Sequence, residues 1–572
     1  MSEAPQWRLL LHADRSGKSE AEGDAFFLSP DGARDPEAEL GATLASFFSD
    51  GQCRFTARYA WLKEALAFDA SRLPEQACPD FQEWRGDPES LSLIFADAYL
   101  NDPSSMYGHT FLRVDERGRS EDEHLLDYAL NFSAQTEETG GLLYSLRGLT
   151  GGYPGQFSIA PYYMRTQQYS NLESRDLWEY RLDLSSRAVD LVLRHIWELG
   201  PAHFDYYFLT KNCSYQLLPV LDAADPGLGL VRWRRLGVTP VDTLRALLSR
   251  PGLVKERRYR PSFVSEMLMR RSRLSREERR LARELGRKPG SIPLDGLPLE
   301  RQAAVLDSAH DYFRYRNGFK KEKEPMADAL LSMRGRIKIP SQPLPKGEWK
   351  KAPEDGHGTA RVAAGGGVHG DGPFGELSWR AALHDPLARQ DGYVPDSLLE
   401  MVGVSVRFDA DRKVYLQKFD LANVVSLSPW DSWLRKPSWR LASGLRRAEE
   451  LSCGESSCLA AELSGGPGLA ARLRERAPLV YALVEAECAA GSPLHLRHRV
   501  GGGGAAGVLM DLGKSRVQVE FLHRRYFLGD AREKTQAELG WALEVRKDLE
   551  LRVRLTRHTP HQEAMISLAR YF

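Results

Sequence analysis

The sequence predicts an α+β unit followed by an antiparallel transmembrane β-barrel. Three observations point there. At 572 residues the chain is too long for one core and must divide into domains. The apolar period changes from 3.6 to 2 near residue 340, and the proline-rich stretch Ile339–Pro345 marks the change.

Residues 1–88 read as a small mixed α/β region, with one helix from Glu37 to Phe48 just after Pro36 and another from Ala57 to Phe68. Residues 89–237 form the second part. Its pattern is strand (Leu91 to Phe95), loop, strand (His109 to Val114), turn (Asp115–Gly118) and strand (Leu125 to Asn131). An aromatic, glycine-rich loop (Gly148 to Tyr163), a strand (Leu177 to Asp183) and a helix (Ser186 to Leu199) follow. From Cys213 onward Leu217, Leu218, Leu221 and Ala224 fall at helical spacing.

Residues 238–338 read as a helical region with basic faces. Positions 251–350 hold 24 Lys and Arg against 13 Asp and Glu, which suits either a solvated helical face or contact with anionic headgroups. A linker over 339–357 leads to the barrel, 358–572. There Leu377, Trp379, Ala381 and Leu383 alternate with polar or small residues, and Leu549, Leu551, Val553 and Leu555 alternate with Glu550, Arg552 and Arg554. Roughly twelve such runs joined by tight polar turns predict a closed meander. A soluble barrel turns its apolar side chains inward, whereas a membrane barrel turns them to lipid. Strands of about ten residues, aromatics near strand ends (Trp430, Trp433, Trp439, Tyr526, Phe527) and a final Phe572 favour the membrane.

Composition narrows the function. With 78 basic against 78 acidic residues, no overall field attracts nucleic acid. No run of about 18 apolar residues predicts a transmembrane helix. Met1–Pro5 lacks the basic start and apolar core of a signal peptide, as would a chain written in its mature form. Of the six cysteines, Cys53 with Cys78 and Cys453 with Cys458 are spaced for disulfides, which suits an oxidising compartment. No CxxC pair or HExxH helix predicts a metal, and no cofactor is expected.

Chemistry concentrates at His109, which opens an apolar strand, and at Cys213, which opens a helical segment behind Asn212. A thiol in the first turn of a helix feels the positive end of the dipole and shifts toward thiolate; an imidazole at a strand edge can serve as its base. A lone Cys is also a common small core residue and a lone His a common satisfied polar group, so the residue types alone leave both readings open.

The segment from about Ser90 to Pro226 resembles the Lnb-type N-terminal periplasmic domain family. The matching phrases run Tyr107–Arg113, Asp127–Phe132, Gly151–Ser158, Asp176–Arg181, Phe204–Phe208 and Asn212–Tyr215. The resemblance implies a permuted papain/NlpC-like fold and a lipoprotein N-acyltransferase. Phospholipid would be the acyl donor, a lipoprotein the acceptor, and the periplasmic face of a Gram-negative outer membrane the location. It carries over Cys213 as nucleophile and His109 as base. Asp127, with His124 second, is the candidate to orient the imidazole. Tyr107, Asn212, Tyr215, Tyr153 and Phe157 are candidate substrate-binding residues, the last two in an aromatic loop that would line an acyl groove. The same Cys and His also suit a peptidase or amidase acting on peptidoglycan, and a non-enzymatic transport barrel would leave them structural.

Overall fold

The computed structural model describes residues 1–572 apart from 101–104, 139–141, 232–237, 319, 345–346, 348–349, 371, 412, 448–458, 475–476, 495, 531–532 and 559–560. It divides into two compact units, residues 1–349 and 350–572.

The first unit is built on one eight-stranded sheet. Its strands are β1 (Ala21–Glu22), β2 (Pro88–Ala96), β3 (His109–Glu116), β4 (Tyr128–Ala134), β5 (Tyr153–Pro161), β6 (Leu177–Leu182), β7 (His203–Tyr206) and β8 (Val254–Arg260). They lie in the order β1-β7-β5-β4-β3-β2-β6-β8. On one face Ile94, Phe111, Ala129 and Leu177 pack against Tyr162 and Tyr169, each large apolar side chain contributing roughly 1.5–3 kcal/mol by leaving water. The helix Ser186–Leu199 lies against β2; Ser185 caps it by accepting the Ala188 N–H.

Before the sheet, helix Pro36–Ser46 starts as its sequence dictates, with Pro36 at the first position and the Asp35 carboxylate accepting the N–H groups of Glu37 and Ala38 at 2.9 and 3.0 Å. Helix Thr56–Ala65 follows. Arg58, fully buried, meets Glu39 at 2.6 Å and Glu198 at 3.5 Å. Cys53 and Cys78 are joined by a disulfide; Cys453 and Cys458 lie outside the described residues.

Three local expectations change. The stretch read as an aromatic loop is largely β5, where Tyr153, Gly155 and Phe157 alternate inward; Gly155 is required because a Cβ there would stand 2.4 Å from the Phe132 ring. The strand expected from Leu125 begins at Tyr128, after a 3-10 turn over Glu123–Leu126. Within the basic segment, Val254–Arg260 is a strand pairing with β6. Its Lys and Arg look unlike a strand because β8 is the sheet's edge, where charge blocks further pairing. Basic residues here meet acids, among them Arg270 with Asp311, Arg301 with Glu278 and Arg334 with Asp307, which favours the solvated-face reading.

The second unit is a closed barrel of twelve antiparallel strands. These are β9 (Arg361–His369), β10 (Gly372–His384), β11 (Ser397–Asp409), β12 (Val414–Ser426), β13 (Ser438–Arg447) and β14 (Leu459–Arg472). The second half comprises β15 (Leu479–Ala490), β16 (His498–Asp511), β17 (Ser515–Gly529), β18 (Glu533–Arg546), β19 (Leu549–His558) and β20 (Gln562–Tyr571). Closure pairs β9 with β20, from Arg361 opposite Tyr571 to His369 opposite Glu563.

Alternation settles the facing of the side chains. Along β15, Val480, Ala482 and Val484 point outward while Glu485 and Glu487 are buried inside; Val519, Phe521, Leu539, Leu555 and Ile566 are likewise exposed. An apolar exterior around a charged interior is the membrane arrangement. The interior is bridged by ion pairs. Arg440 on β13 reaches Glu520 on β17 at 2.5 Å, Arg407 on β11 reaches Glu563 on β20 at 2.8 Å, and Arg524 meets Glu485 and Glu487. Of the aromatics expected at the membrane rim, Trp430 and Phe527 are exposed, but Trp433 and Tyr526 are buried; the Tyr526 hydroxyl donates inward to Glu487 at 2.6 Å. Among the described residues no helix is long and apolar enough to cross a membrane.

Candidate active site

His109 is the first residue of β3, and the backbone before it turns sharply: Gly108 has φ of +91° and a Cβ there would meet the Ala96 carbonyl at 3.0 Å. Only glycine accommodates both. The imidazole packs beside Tyr169, with ring centroids 5.5 Å apart. Its Nε2 lies 2.6 Å from Asn131 Oδ1. Since an amide oxygen only accepts, Nε2 carries the proton, and Nδ1 is left for the thiol.

Cys213 sits in a turn four residues before the regular helix, Leu217–Ala224, and not in the first helical turn where its sequence setting had it. Asn212 builds that turn: its Oδ1 accepts the N–H groups of Ser214 and Tyr215 at 3.1 and 3.2 Å, and its amide nitrogen donates to the carbonyls of Phe208 and Val238. The Cys213 N–H donates to the Tyr206 hydroxyl at 3.2 Å, and Ser214 Oγ stands 3.6 Å from the sulfur. Thr110, next to His109, donates to Ser214 Oγ at 2.9 Å, stitching strand to turn.

Burial pushes the Cys213 thiol up, but the charge and hydrogen bond of His109, with hydrogen bonds from Ser214 and the Thr110 backbone, outweigh it and leave the thiol at about 6. Such a thiol is mostly thiolate at neutral pH. Tyr169 moves the other way, up to about 12, because it is buried. Cys488 is exposed.

The structure brings Cys213 and His109 together and sets Asn131 on the imidazole, where Asp127 had been expected. Asp127 is fully buried and held elsewhere, by Arg119 at 2.6 Å, His124 at 2.7 Å and Arg113 at 3.8 Å. Asp127 lies just before β4, whereas Asn131 is inside it, beside β3. The signal for Asn131 was a lone amide within the apolar run Tyr128–Phe132. Asp115, His124 and Asp127 offer three possible metal ligands, but Arg113 pairs with Asp115 and Arg119 with Asp127, so the cluster is already neutralised.

The candidate substrate-binding residues divide. Asn212 is consumed by capping the turn, and Phe157 is core, packed on Phe132 with centroids 5.0 Å apart. The Tyr153 hydroxyl donates to Glu138 at 2.5 Å, and the Tyr215 hydroxyl lies 3.4 Å from Glu20. Tyr107, beside the site in sequence, is buried with its hydroxyl lacking a hydrogen-bond partner among the described residues. Gln216, one turn after Cys213, is buried with both amide atoms in the same condition.

Residues 80–250 match the family model described as the Lnb N-terminal periplasmic domain. Models of three domains of unknown function match residues 1–65, 257–345 and 350–571. No curated protein matches. Solved structures similar to the chain include the KdgM porin (10% identity, 37% of this chain and 99% of that one, TM-score 0.23). An outer membrane channel from Pseudomonas putida F1 is also similar (12%, 40% and 100%, TM-score 0.25), as is the translocator domain of autotransporter NalP from Neisseria meningitidis (10%, 37% and 88%, TM-score 0.19).

Proposed function

We propose, for an outer-membrane chain whose residues 80–250 form an Lnb N-terminal periplasmic domain, that this domain is a thiol-dependent acyltransferase moving an acyl chain from phospholipid to the N-terminal amine of lipoproteins. One observation carries the reading: a buried thiol lowered to about 6 beside an imidazole that Asn131 orients at 2.6 Å.

The roles follow from those positions. The Cys213 thiolate attacks an ester carbonyl of the donor, and the Tyr206 hydroxyl, which accepts the Cys213 N–H at 3.2 Å, has its own O–H to donate to the oxyanion. Collapse of the intermediate breaks the ester C–O bond; protonated His109 gives its proton to the departing lysophospholipid oxygen, and a thioester remains on Cys213. The acceptor amine then attacks the thioester, His109 takes its proton, and the thiolate leaves. Asn131 keeps the ring aligned through both halves.

Mass spectrometry of lipoprotein N-termini tests the reading. Cells with the protein should carry N-acylated termini that disappear in cells producing Cys213→Ala, and unchanged acylation would refute it. Purified protein that cleaves muropeptides but leaves a lipopeptide and phospholipid untouched would assign the same thiolate to a cell-wall amidase instead.

A further inference from the structure

β7 pairs with β5 from Tyr153 to Gly155, so among the described residues the second half of β5 has β4 as its single neighbour in the sheet. Around that bare half the first unit exposes Leu126, Tyr128, Ile159, Tyr163, Met164 and Leu172, with Leu172 62% and Met164 50% accessible. They are neighbours. Tyr128 pairs with Pro161 across β4 and β5, the Tyr162 N–H donates to the Asp127 carbonyl at 2.6 Å, and the helix Tyr162–Thr166 packs on the turn Glu123–Leu126.

Exposed Asp122 and Glu123 rim the patch beside Leu126, and Arg165 supplies its positive charge. Arg165 makes hydrogen bonds to Gln168 Oε1 at 3.3 Å and Ser158 Oγ at 3.5 Å, and among the described residues it has no carboxylate within ion-pair distance. Ser158 in turn donates to the Asn131 carbonyl at 3.4 Å, so the patch is continuous with the residue that orients His109. Tyrosines, aliphatic side chains and a guanidinium outside any ion pair among the described residues together match the headgroup boundary of a bilayer, where rings sit half-wet and Arg meets phosphate. The chain also carries a barrel with a lipid-facing exterior, which tethers this unit to a membrane.

We propose that this patch docks the first unit on the surface of a phospholipid bilayer, the apolar side chains entering the headgroup–acyl boundary and Arg165 meeting lipid phosphate. Its purpose, delivery of donor lipid to Cys213, rests on the acyl-transfer reading; the docking itself does not.

The test places p-benzoylphenylalanine at Met164, at Leu172 or at Phe48, a control 72% exposed in the same unit, in the full chain reconstituted in phosphatidylethanolamine–phosphatidylglycerol vesicles. After irradiation, peptide mass spectrometry should find phospholipid adducts at 164 and 172 on the order of 10-fold above those at 48, falling several-fold with Arg165→Glu. Equal adduct yields at all three positions would overturn the proposal, as would cross-links chiefly to protein, which would mean that a second copy or the chain itself covers the patch. Site-resolved alkylation of Cys213 in each variant verifies that the fold is intact. Lipopeptide acylation in the same vesicles separates the two readings: adducts without transfer support docking and sink the acyltransferase, whereas transfer with equal adducts sinks docking alone.

Discussion

Asn131 fixes which nitrogen of His109 faces the thiol, and two outcomes follow at this scale. Thiolate is the alkylated form, so with the folded thiol at about 6 the rate of iodoacetamide labelling at Cys213 should rise through pH 6 and level off by neutrality. In His109→Ala the compensating charge is gone and only the Ser214 and Thr110 hydrogen bonds oppose burial, so the rise should move up to the free-thiol range of about 8.5 or beyond. Peptide mass spectrometry isolates Cys213 from the exposed Cys488. Asn131→Ala frees the ring to rotate; acylation of a lipopeptide should fall on the order of 10²-fold in kcat with KM nearly unchanged. His109 was legible because it opens a strand, and Cys213 because it follows Asn212 just ahead of a helix. Asn131 was not, since period 2 sets 127, 129 and 131 on one face, and choosing among them requires the point where β4 begins. Asp127 is the candidate that a strand neighbouring His109 offers, but Arg113 and Arg119, whose positions no spacing predicts, hold it.

Elements were readable where a face repeats and opaque where tertiary contacts override composition. Helices Pro36–Ser46 and Ser186–Leu199 follow their caps and periods, and the barrel strands follow alternation. β5 was missed because its glycines, which serve the close approach of Phe132, mimic a loop, and β8 because an edge strand is dressed in charge. The Cys53–Cys78 link closes a sequence separation of 25, so the double variant Cys53→Ser, Cys78→Ser should lose about 3 kcal/mol of stability in the chain-entropy picture. Pulse proteolysis in urea, scoring cleavage within residues 1–349 of the full chain in detergent, reads that loss; an unchanged midpoint would mean that the unfolded chain is not constrained by the link.

For the molecule as a whole, the bridged barrel interior bears on transport. Arg440 with Glu520 and Arg407 with Glu563 cross from one wall to another, and Asp385 gathers Arg361, Arg380 and Arg552 at 3.1, 2.9 and 2.9 Å. Ion pairs that bridge the walls narrow the lumen, so the protein in a planar bilayer should give no porin-sized current steps. Sustained stepwise conductance would restore the transport reading and demote the barrel's role as an anchor.

The seam between β9 and β20 also sets an order in time. Its partners are separated by nearly the whole length of the barrel, and Ala360 and Phe572 exchange the last pair of backbone bonds at 3.0 and 3.1 Å. Every other hairpin can zip as it emerges, but this one must wait for the final strand, when the first unit, with its own sheet and disulfide, has long been free to fold. A chain halted before β20 would therefore present two raw edges, β9 and β19, whatever the state of the first unit. Quality control at the membrane would be judging the barrel, not the chemistry.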